Sequence, residues 1–235
     1  MPKLVFDIET VGEDFDLLDK TTQKVLTSWV ERSTNKPQEY EREMENIKNG
    51  LGFSPYTGHV VAIGTLDAEK EHGGVYYSAP GQKNEDAEED GVRLRQMTEK
   101  ELLQKFWDIA KEYDTFISFN GRGFDAPFLY IRSAANGVRP TKDLMSNRYI
   151  GSQRGCNHID LMDQLTFYGA VAKRPSLHLV CRTFGIKSPK AYGITGDDVS
   201  RLFKEKKFLD IARYNVGDLR ATKALYEHWD KYIRF

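Results

Sequence analysis

The chain has 235 residues, of which 40% are hydrophobic and 12% aromatic, which is enough to bury a real core and argues against global disorder. This length fits one large α/β domain better than two small ones. The formal net charge of −1 argues neither for nor against a nucleic-acid partner, so the function has to be inferred from local sequence patterns.

The first half of the chain alternates apolar runs with polar segments. Short apolar runs predict three strands, at Leu4–Ile8, His59–Leu66 and Val75–Ser78. Scattered apolar residues within Thr10–Gly50 indicate one or two helices between the first two strands. The acidic, polar segment Pro80–Gly91 indicates an exposed loop.

The second half is mostly helical in pattern. Its predicted elements are a helix opened by a capping box between Thr98 and Glu101, a strand at Thr115–Phe119, a helix at Asp125–Ala135, a short strand or helix at Ile159–Leu165, a helix from Ser176 with Gly185 as its C-cap, a short helix at Asp197–Phe203 and a long helix at about Phe208–Lys231. Clustered strands followed by interleaved helices favour a mixed central sheet flanked by helices, in a single α/β domain over residues 1–235.

Cysteine usage and the N-terminus bear on the compartment. Cys156 and Cys181 are far apart and form no CxxC pair, so they indicate reduced thiols rather than a disulfide or zinc site. The sequence begins directly with a strand-like run, and no apolar stretch reaches the roughly 18 residues of a membrane span. We therefore expect a cytoplasmic protein without a signal peptide or membrane contact.

The charge is unevenly distributed. Between Ile131 and Lys190 there are ten lysines and arginines against three acids. Such a basic section can hold phosphates. An ordinary solvated face, balanced by acids elsewhere in the fold, explains it equally well.

Two acids lie on the first predicted strand, in Phe6-Asp7-Ile8-Glu9-Thr10. Because side chains alternate along a strand, Asp7 and Glu9 point to the same face. Burying two like charges side by side is unfavourable unless a counter-charge, such as a divalent cation, is present. The alternative is that both acids sit at a solvated, frayed strand end.

Two further acids stand out in the second half. Asp125 follows a strand and a glycine-rich turn, at the start of a helix, where an acid also serves for capping. Asp218 lies within the last helix, four residues after Tyr214, so the two side chains share a face. An ordinary solvent-facing acid remains the alternative for Asp218.

Taken together, these segments resemble a known family. FDIET, SFNGRGFDAPFL and YNVGDLRATKALY resemble the three motifs of the DEDD (DnaQ-like, ribonuclease-H-fold) 3′–5′ exonucleases, in the branch with tyrosine. The sequence is most similar to stand-alone relatives of the proofreading domain of family B DNA polymerases. The resemblance covers most of the chain, but residues 12–53 match nothing specific and are interpreted as an insertion within the exonuclease domain.

This resemblance implies a ribonuclease-H-like fold and hydrolysis of phosphodiesters with two Mg²⁺ or Mn²⁺ ions about 4 Å apart. Hard cations prefer oxygen ligands, which carboxylates supply. Asp7 is expected to bridge the ions, Glu9 and Asp218 to complete the site that activates water, and Asp125 to hold the second ion. Tyr214, with an ordinary pKa near 10, is expected to orient the water rather than to remove its proton.

Four residues are candidates for contacts with the substrate. Asn120 and Phe124 are placed to meet the sugar and base of a nucleotide, since aromatic rings stack on unpaired bases. Thr10 can reach the terminal nucleotide, and Lys190 can contact a phosphate. Phe124 is equally well explained as a core aromatic, and Lys190 as a surface charge.

The histidines have a simpler interpretation. His158 and His178 lack a partner pattern and are expected to be structural.

The expected substrate is the 3′ end of single-stranded nucleic acid, with DNA preferred to RNA. An exoribonuclease remains an alternative, because discrimination rests on the 2′-hydroxyl, which the sequence does not resolve. A nucleic-acid-binding module with weak catalysis is a second alternative. No polymerase segment lies within the chain, so proofreading would require an unidentified partner polymerase, and DNA repair or turnover are equally open roles.

Overall fold

A computed structural model describes residues 2–33, 36–83, 86–188 and 196–234. Within these ranges, seven strands form one mixed sheet in the order β4-β5-β3-β2-β1-β6-β7. The strands are β1 (Lys3–Gly12), β2 (Gly58–Asp67), β3 (Gly73–Tyr77), β4 (Ala87–Glu89), β5 (Val92–Gln96), β6 (Thr115–Ser118) and β7 (Asn157–Asp160). Central β1 is antiparallel to β2 and parallel to β6. This mixed α/β architecture confirms the fold class expected from the sequence.

Eight α-helices lie within the described ranges. They are α1 (Lys20–Ser33), α2 (Pro37–Gly50), α3 (Glu99–Ala110), α4 (Asp125–Ala135), α5 (Leu161–Leu165), α6 (Leu177–Thr183), α7 (Val199–Lys204) and α8 (Phe208–Tyr232). Among the described residues, no helix has the length and apolar character needed to span a bilayer.

The two faces of β1 pack into different cores. Leu4, Phe6 and Ile8 join a cluster with aromatic residues of α3 and α4. Val5 and Val11 join a second cluster that includes the buried face of α8. Because side chains alternate along the strand, Asp7 and Glu9 share the face of Val5 and Val11 and are turned toward α8.

Local signals fixed several helix ends as expected. Thr98 accepts a hydrogen bond from the Glu101 N–H, and the Glu101 carboxylate accepts one from the Thr98 N–H, which completes the capping box of α3. Ser176 caps α6, and Gly185 follows that helix with a φ of 69°, a conformation that favours glycine.

The segment after β3 was predicted wrongly in part. The expected loop over Pro80–Gly91 contains the short edge strand β4, and β5 was not anticipated. In β5, buried Val92 and Leu94 alternate with exposed Arg93, which is a strand pattern of period two. Ala and Glu have low strand propensity, so β4 depends on its pairing with β5 rather than on its own sequence.

The described residues between 12 and 53 include α1 and α2, and their last part returns to the end of β1. The Thr10 hydroxyl donates to the Gly52 carbonyl at 2.7 Å. A Cβ on Gly12 would lie 2.7 Å from the Leu51 side chain, so the two chains can approach this closely only because residue 12 is glycine. This segment therefore contacts the strand that carries Asp7 and Glu9. Whether the chain forms a single domain over 1–235 stays a prediction.

Candidate active site

Three carboxylates meet between β1 and α8. Asp7 and Glu9 extend from β1, Asp218 extends from α8, and one ligand oxygen from each lies within 4.8 Å of the others. Glu9 and Asp218 are 7% and 8% exposed, so neither is an ordinary surface acid. Both acids of the strand lie inside β1, not at a frayed end. These positions exclude a frayed strand end for Asp7 and Glu9 and an ordinary solvent-facing position for Asp218.

Asp125 contacts the same strand from the start of α4. It is the first residue of α4, and its carboxylate accepts a hydrogen bond from the Ile8 N–H at 3.0 Å. β1 pairs with β6 only over Lys3–Val5, so the Ile8 N–H lies beyond this pairing. The Asp125 carboxylate supplies the acceptor that this backbone donor needs. The carboxylate of Asp125 therefore bonds to β1, between Asp7 and Glu9, rather than serving only as a helix cap.

The electrostatics of these acids are unfavourable as they stand. Burial and then the charges of Asp125, Asp218 and Glu9 raise the pKa of Asp7 well above its usual value. Burial and the charge of Asp218 do the same for the pKa of Glu9. Burial raises the pKa of Asp125 to about 7.

The donor set suits a hard divalent cation. It consists of closely spaced carboxylate oxygens, without sulfur or imidazole, which is the set that Mg²⁺ and Mn²⁺ prefer. A positive ion at this position would also relieve the repulsion that raises the pKa values. The residues present therefore fit the metal that the sequence motifs imply.

Tyr214 stands over the carboxylates from α8. Its side chain lies one helical turn from Asp218, whose charge acts on the phenol group. Burial, followed by the charges of Asp218 and Glu9, raises the pKa of Tyr214 above its ordinary value. The hydroxyl therefore stays protonated at neutral pH and is a donor rather than a base.

Asn215, which the sequence interpretation overlooked, contacts the carboxylates directly. Its Nδ2 donates to Asp7 at 2.7 Å and lies 3.4 Å from a Glu9 oxygen. The side chain is fully buried. A usable signal existed, because Asn215 precedes Asp218 by three residues and therefore shares its helical face.

Asp160 is a second residue that the sequence interpretation did not single out. It ends β7, and its carboxylate accepts hydrogen bonds from the N–H groups of Asn120, Arg122 and Met162 at 2.8, 2.9 and 3.0 Å. The backbone of Asn120 has a φ of 64°, which is strained for a residue other than glycine. Asp160 thus holds the turn that leads into Asp125.

Comparison with known proteins bears on the family. A family model described as "Predicted 3'-5' exonuclease related to the exonuclease domain of PolB" matches residues 60–232, which is more than half of the chain. The chain belongs to this PolB-related exonuclease family. The matched range includes Asp125, Tyr214 and Asp218, whereas Asp7 and Glu9 precede it.

Curated relatives of this family member are archaeal DNA polymerases. DNA polymerase 1 of Saccharolobus solfataricus is 42% identical over 52 residues, which cover 22% of this chain and 6% of the polymerase. The DNA polymerase of Desulfurococcus sp. (strain Tok) is 27% identical over 148 residues, which cover 54% of this chain and 18% of the polymerase. The chain thus spans less than a fifth of the length of either polymerase.

A solved structure supports the fold assignment. The family B DNA polymerase from the hyperthermophilic archaeon Pyrobaculum calidifontis matches with a TM-score of 0.57 and 21% identity. The match covers 97% of this chain and 24% of that one. At this identity the likeness concerns the fold alone.

The residues expected to bind substrate differ from one another in their surroundings in this PolB-related chain. Phe124 packs against Phe128, with ring centroids 4.9 Å apart, and borders the core beside α4, so its packing role is clear. The Thr10 hydroxyl already donates its hydrogen to the Gly52 carbonyl. Asn120 borders the turn before Asp125 and is partly exposed. Lys190 lies outside the described residues.

Ion pairs neutralise part of the excess positive charge between residues 131 and 190. Arg132 pairs with Glu99 at 2.8 Å, and Lys142 pairs with Asp114 at 3.4 Å. Arg148 forms a bidentate pair with Asp163. Asp163 is already counted among the three acids of this range, so the pairs with Glu99 and Asp114 balance two of the seven excess positive charges.

His158 has the structural role expected for it. It is buried between the Ser118 hydroxyl, 2.8 Å from Nε2, and the Leu144 carbonyl, 2.9 Å from Nδ1. Burial lowers the pKa of His158 to about 4, so the ring is neutral at physiological pH. His178 contacts the Ser188 hydroxyl at 2.8 Å.

Proposed function

We propose that this PolB-related chain is a metal-dependent 3′–5′ exonuclease that removes nucleotides from the 3′ end of single-stranded nucleic acid, with DNA preferred to RNA. The observation that carries the proposal is the meeting of Asp7, Glu9 and Asp218 within 4.8 Å, with Asp125 bonded to the strand between the first two. The preference for DNA rests on the relatives, which are named as DNA polymerases.

The four carboxylates are the groups that would hold two Mg²⁺ or Mn²⁺ ions. The family resemblance implies that Asp7 would be the shared ligand, and the charges of Asp125, Asp218 and Glu9 all act on it. Bound there, the ions would neutralise the phosphodiester and favour both the attacking and the leaving oxygen. In their absence the buried charges repel one another, which is why the site is expected to bind cations strongly.

Tyr214 would position the attacking water. Its protonated hydroxyl lies beside the carboxylates of Asp218 and Glu9, where it could exchange a hydrogen bond with a water molecule. A group held in this way fixes the direction of attack without taking up the proton. Its raised pKa supports a positioning role over that of a general base.

The terminal nucleotide would lie beside β1 and the turn before α4. Asn120 is the strongest candidate for a sugar or base contact, because Asp160 holds its backbone in one conformation. Thr10 remains a candidate through its backbone and the lone pairs of its hydroxyl. Phe124 and Lys190 remain candidates for base stacking and for a phosphate contact, respectively.

The test is an exonuclease assay on 5′-labelled single-stranded DNA and RNA of one sequence, with Mn²⁺ or Mg²⁺. We expect a ladder that shortens from the 3′ end, faster for DNA, and no products with EDTA or with Asp7→Asn. Faster shortening of RNA would favour the exoribonuclease alternative. Absence of cleavage of either polymer with either ion would overturn the proposal and favour a binding module.

A further inference from the structure

The Asn215 side chain is placed where it can orient two carboxylates at once. Its Nδ2 carries two hydrogens, and the Asp7 and Glu9 oxygens lie 2.7 and 3.4 Å away. These two acids extend from one strand, whereas Asn215 extends from α8. The amide therefore links the strand and the helix at the centre of the site.

The chemistry of an amide suits this position. A lysine or arginine here would neutralise the acids and occupy the place that a metal ion needs. An amide donates hydrogen bonds that fix the carboxylate directions and leaves their negative charge in place for the ion.

The neighbouring strand β2 leaves room for the Asn215 amide. Gly64 of β2 faces Asp7 in the antiparallel ladder. A Cβ at Gly64 would overlap the Asn215 Oδ1 and would lie 2.7 Å from a methyl group of Leu219. A glycine within a strand weakens the strand, and it is expected where another group approaches the backbone closely. The absence of a side chain at residue 64 is thus what allows Asn215 to reach the acids.

Stability alone does not account for Asn215. Its Oδ1 is buried and has no hydrogen-bond partner among the described residues. An unpaired buried oxygen is unfavourable, and an apolar side chain of similar size would avoid it. The hydrogen bonds from Nδ2 to Asp7 and Glu9 therefore explain an asparagine at residue 215 better than packing does.

We propose that Asn215, admitted by Gly64, is the positioning residue that holds Asp7 and Glu9 in the orientation that accepts a divalent cation. This inference rests on the proposed metal-dependent function, and it adds a residue that touches the ligands rather than the ion. Hydrogen-bond partners of metal ligands typically alter metal affinity by about ten- to hundredfold when they are removed.

The experiment measures Mn²⁺ binding directly, by isothermal titration calorimetry, together with the thermal midpoint of each variant. The variants are Asn215→Ala, Gly64→Ala, the double variant Gly64→Ala/Asn215→Ala, and Asp7→Asn as the reference for a damaged site. Thr222→Val is the matched control, since Thr222 is also a buried polar residue of α8. Asn215→Ser replaces Asn215→Ala if the alanine variant does not fold, because serine is too short to reach either acid.

We expect Asn215→Ala to raise the Mn²⁺ dissociation constant by about ten- to hundredfold, and Gly64→Ala to weaken binding by displacing the amide. The double variant should regain part of the thermal stability that Gly64→Ala loses, because the overlap with the Asn215 Oδ1 is gone and only the contact with Leu219 remains, while its Mn²⁺ affinity stays low. Thr222→Val should bind like the wild type.

Wild-type affinity in Asn215→Ala, with binding lost in Asp7→Asn, would overturn the role of Asn215 and leave the proposed function standing. Absence of Mn²⁺ binding by the wild-type protein would overturn both.

Discussion

The Asp125 carboxylate accepts a hydrogen bond from the Ile8 N–H, across 117 residues of sequence, at a distance of 3.0 Å. This bond joins the start of α4 to the strand that carries Asp7 and Glu9. It also satisfies a backbone donor that lies beyond the pairing of β1 with β6. One side chain thus contributes both to the fold of the strand and to the charge of the site.

This dual role predicts that two substitutions at residue 125 differ in stability. Asp125→Asn keeps an oxygen that can accept from Ile8, whereas Asp125→Ala leaves a buried N–H unpaired, which costs about 1–3 kcal/mol. We expect the alanine variant to be less stable than the asparagine variant by that amount in urea unfolding with EDTA. Equal stability would show that the bond contributes nothing to the fold. Both variants should lose exonuclease activity.

The raised pKa of Asp125 predicts the pH dependence of the metal-free protein. The carboxyl group has a pKa of about 7 in the folded state, against an ordinary 3.8. Between these values the folded state binds more protons than the unfolded state, so the free energy of unfolding falls as the pH rises. We expect the thermal midpoint in EDTA to fall from about pH 5 to about pH 8, and less steeply in Asp125→Asn. Identical slopes in the two proteins would contradict this assignment.

The hydrogen bonds of Asp160 predict a graded loss of stability. Asp160→Ala removes the acceptor for Asn120, Arg122 and Met162, and hydrogen bonds to a charged group contribute about 1.5–3 kcal/mol. Asp160→Asn keeps one oxygen and should lie between alanine and wild type in urea unfolding. Hydrogen exchange should accelerate at the amides of Asn120 and Arg122. Unchanged protection of these amides in Asp160→Ala would show that the turn holds without the carboxylate.

The relation of Tyr214 to Asp218 predicts an order of rates. Tyr214→Phe removes the positioning hydroxyl, and we expect a smaller loss of kcat than the about 100- to 10,000-fold typical of a group that transfers a proton. Asp218→Asn should be the more severe change, because it removes a metal ligand. Single-turnover assays with Mn²⁺ measure both rates. The reverse order would contradict the role given to the tyrosine, as would an alkaline limb of the pH profile that disappears with Tyr214→Phe.

The elements that carry the acids were predictable because regular periods fix where side chains point. Alternation along β1 placed Asp7 and Glu9 together, and the helical repeat of α8 placed Tyr214 beside Asp218. Asn215 and Asp160 were missed because their roles depend on contacts between distant segments. The spacing of Asn215 from Asp218 indicates a shared helix face, but the bond from Asn215 to Asp7 spans 208 residues, so the local pattern does not identify the partner.

The wrong prediction over Pro80–Gly91 also has a physical origin. β4 is a strand only because β5 lies beside it, so tertiary pairing overrides weak local propensity there. The helices expected within Thr10–Gly50 are present as α1 and α2, whereas the return of that segment to β1 depends on tertiary contacts at Gly12 and Gly52.

The most direct test of the central claim is anomalous X-ray diffraction from a crystal that contains Mn²⁺ and a short single-stranded oligonucleotide. We expect two anomalous peaks, both bordered by the carboxylates of Asp7, Glu9, Asp125 and Asp218, with the 3′ end of the oligonucleotide beside them. A crystal with ordered oligonucleotide and no anomalous peak among these four carboxylates would contradict the central claim.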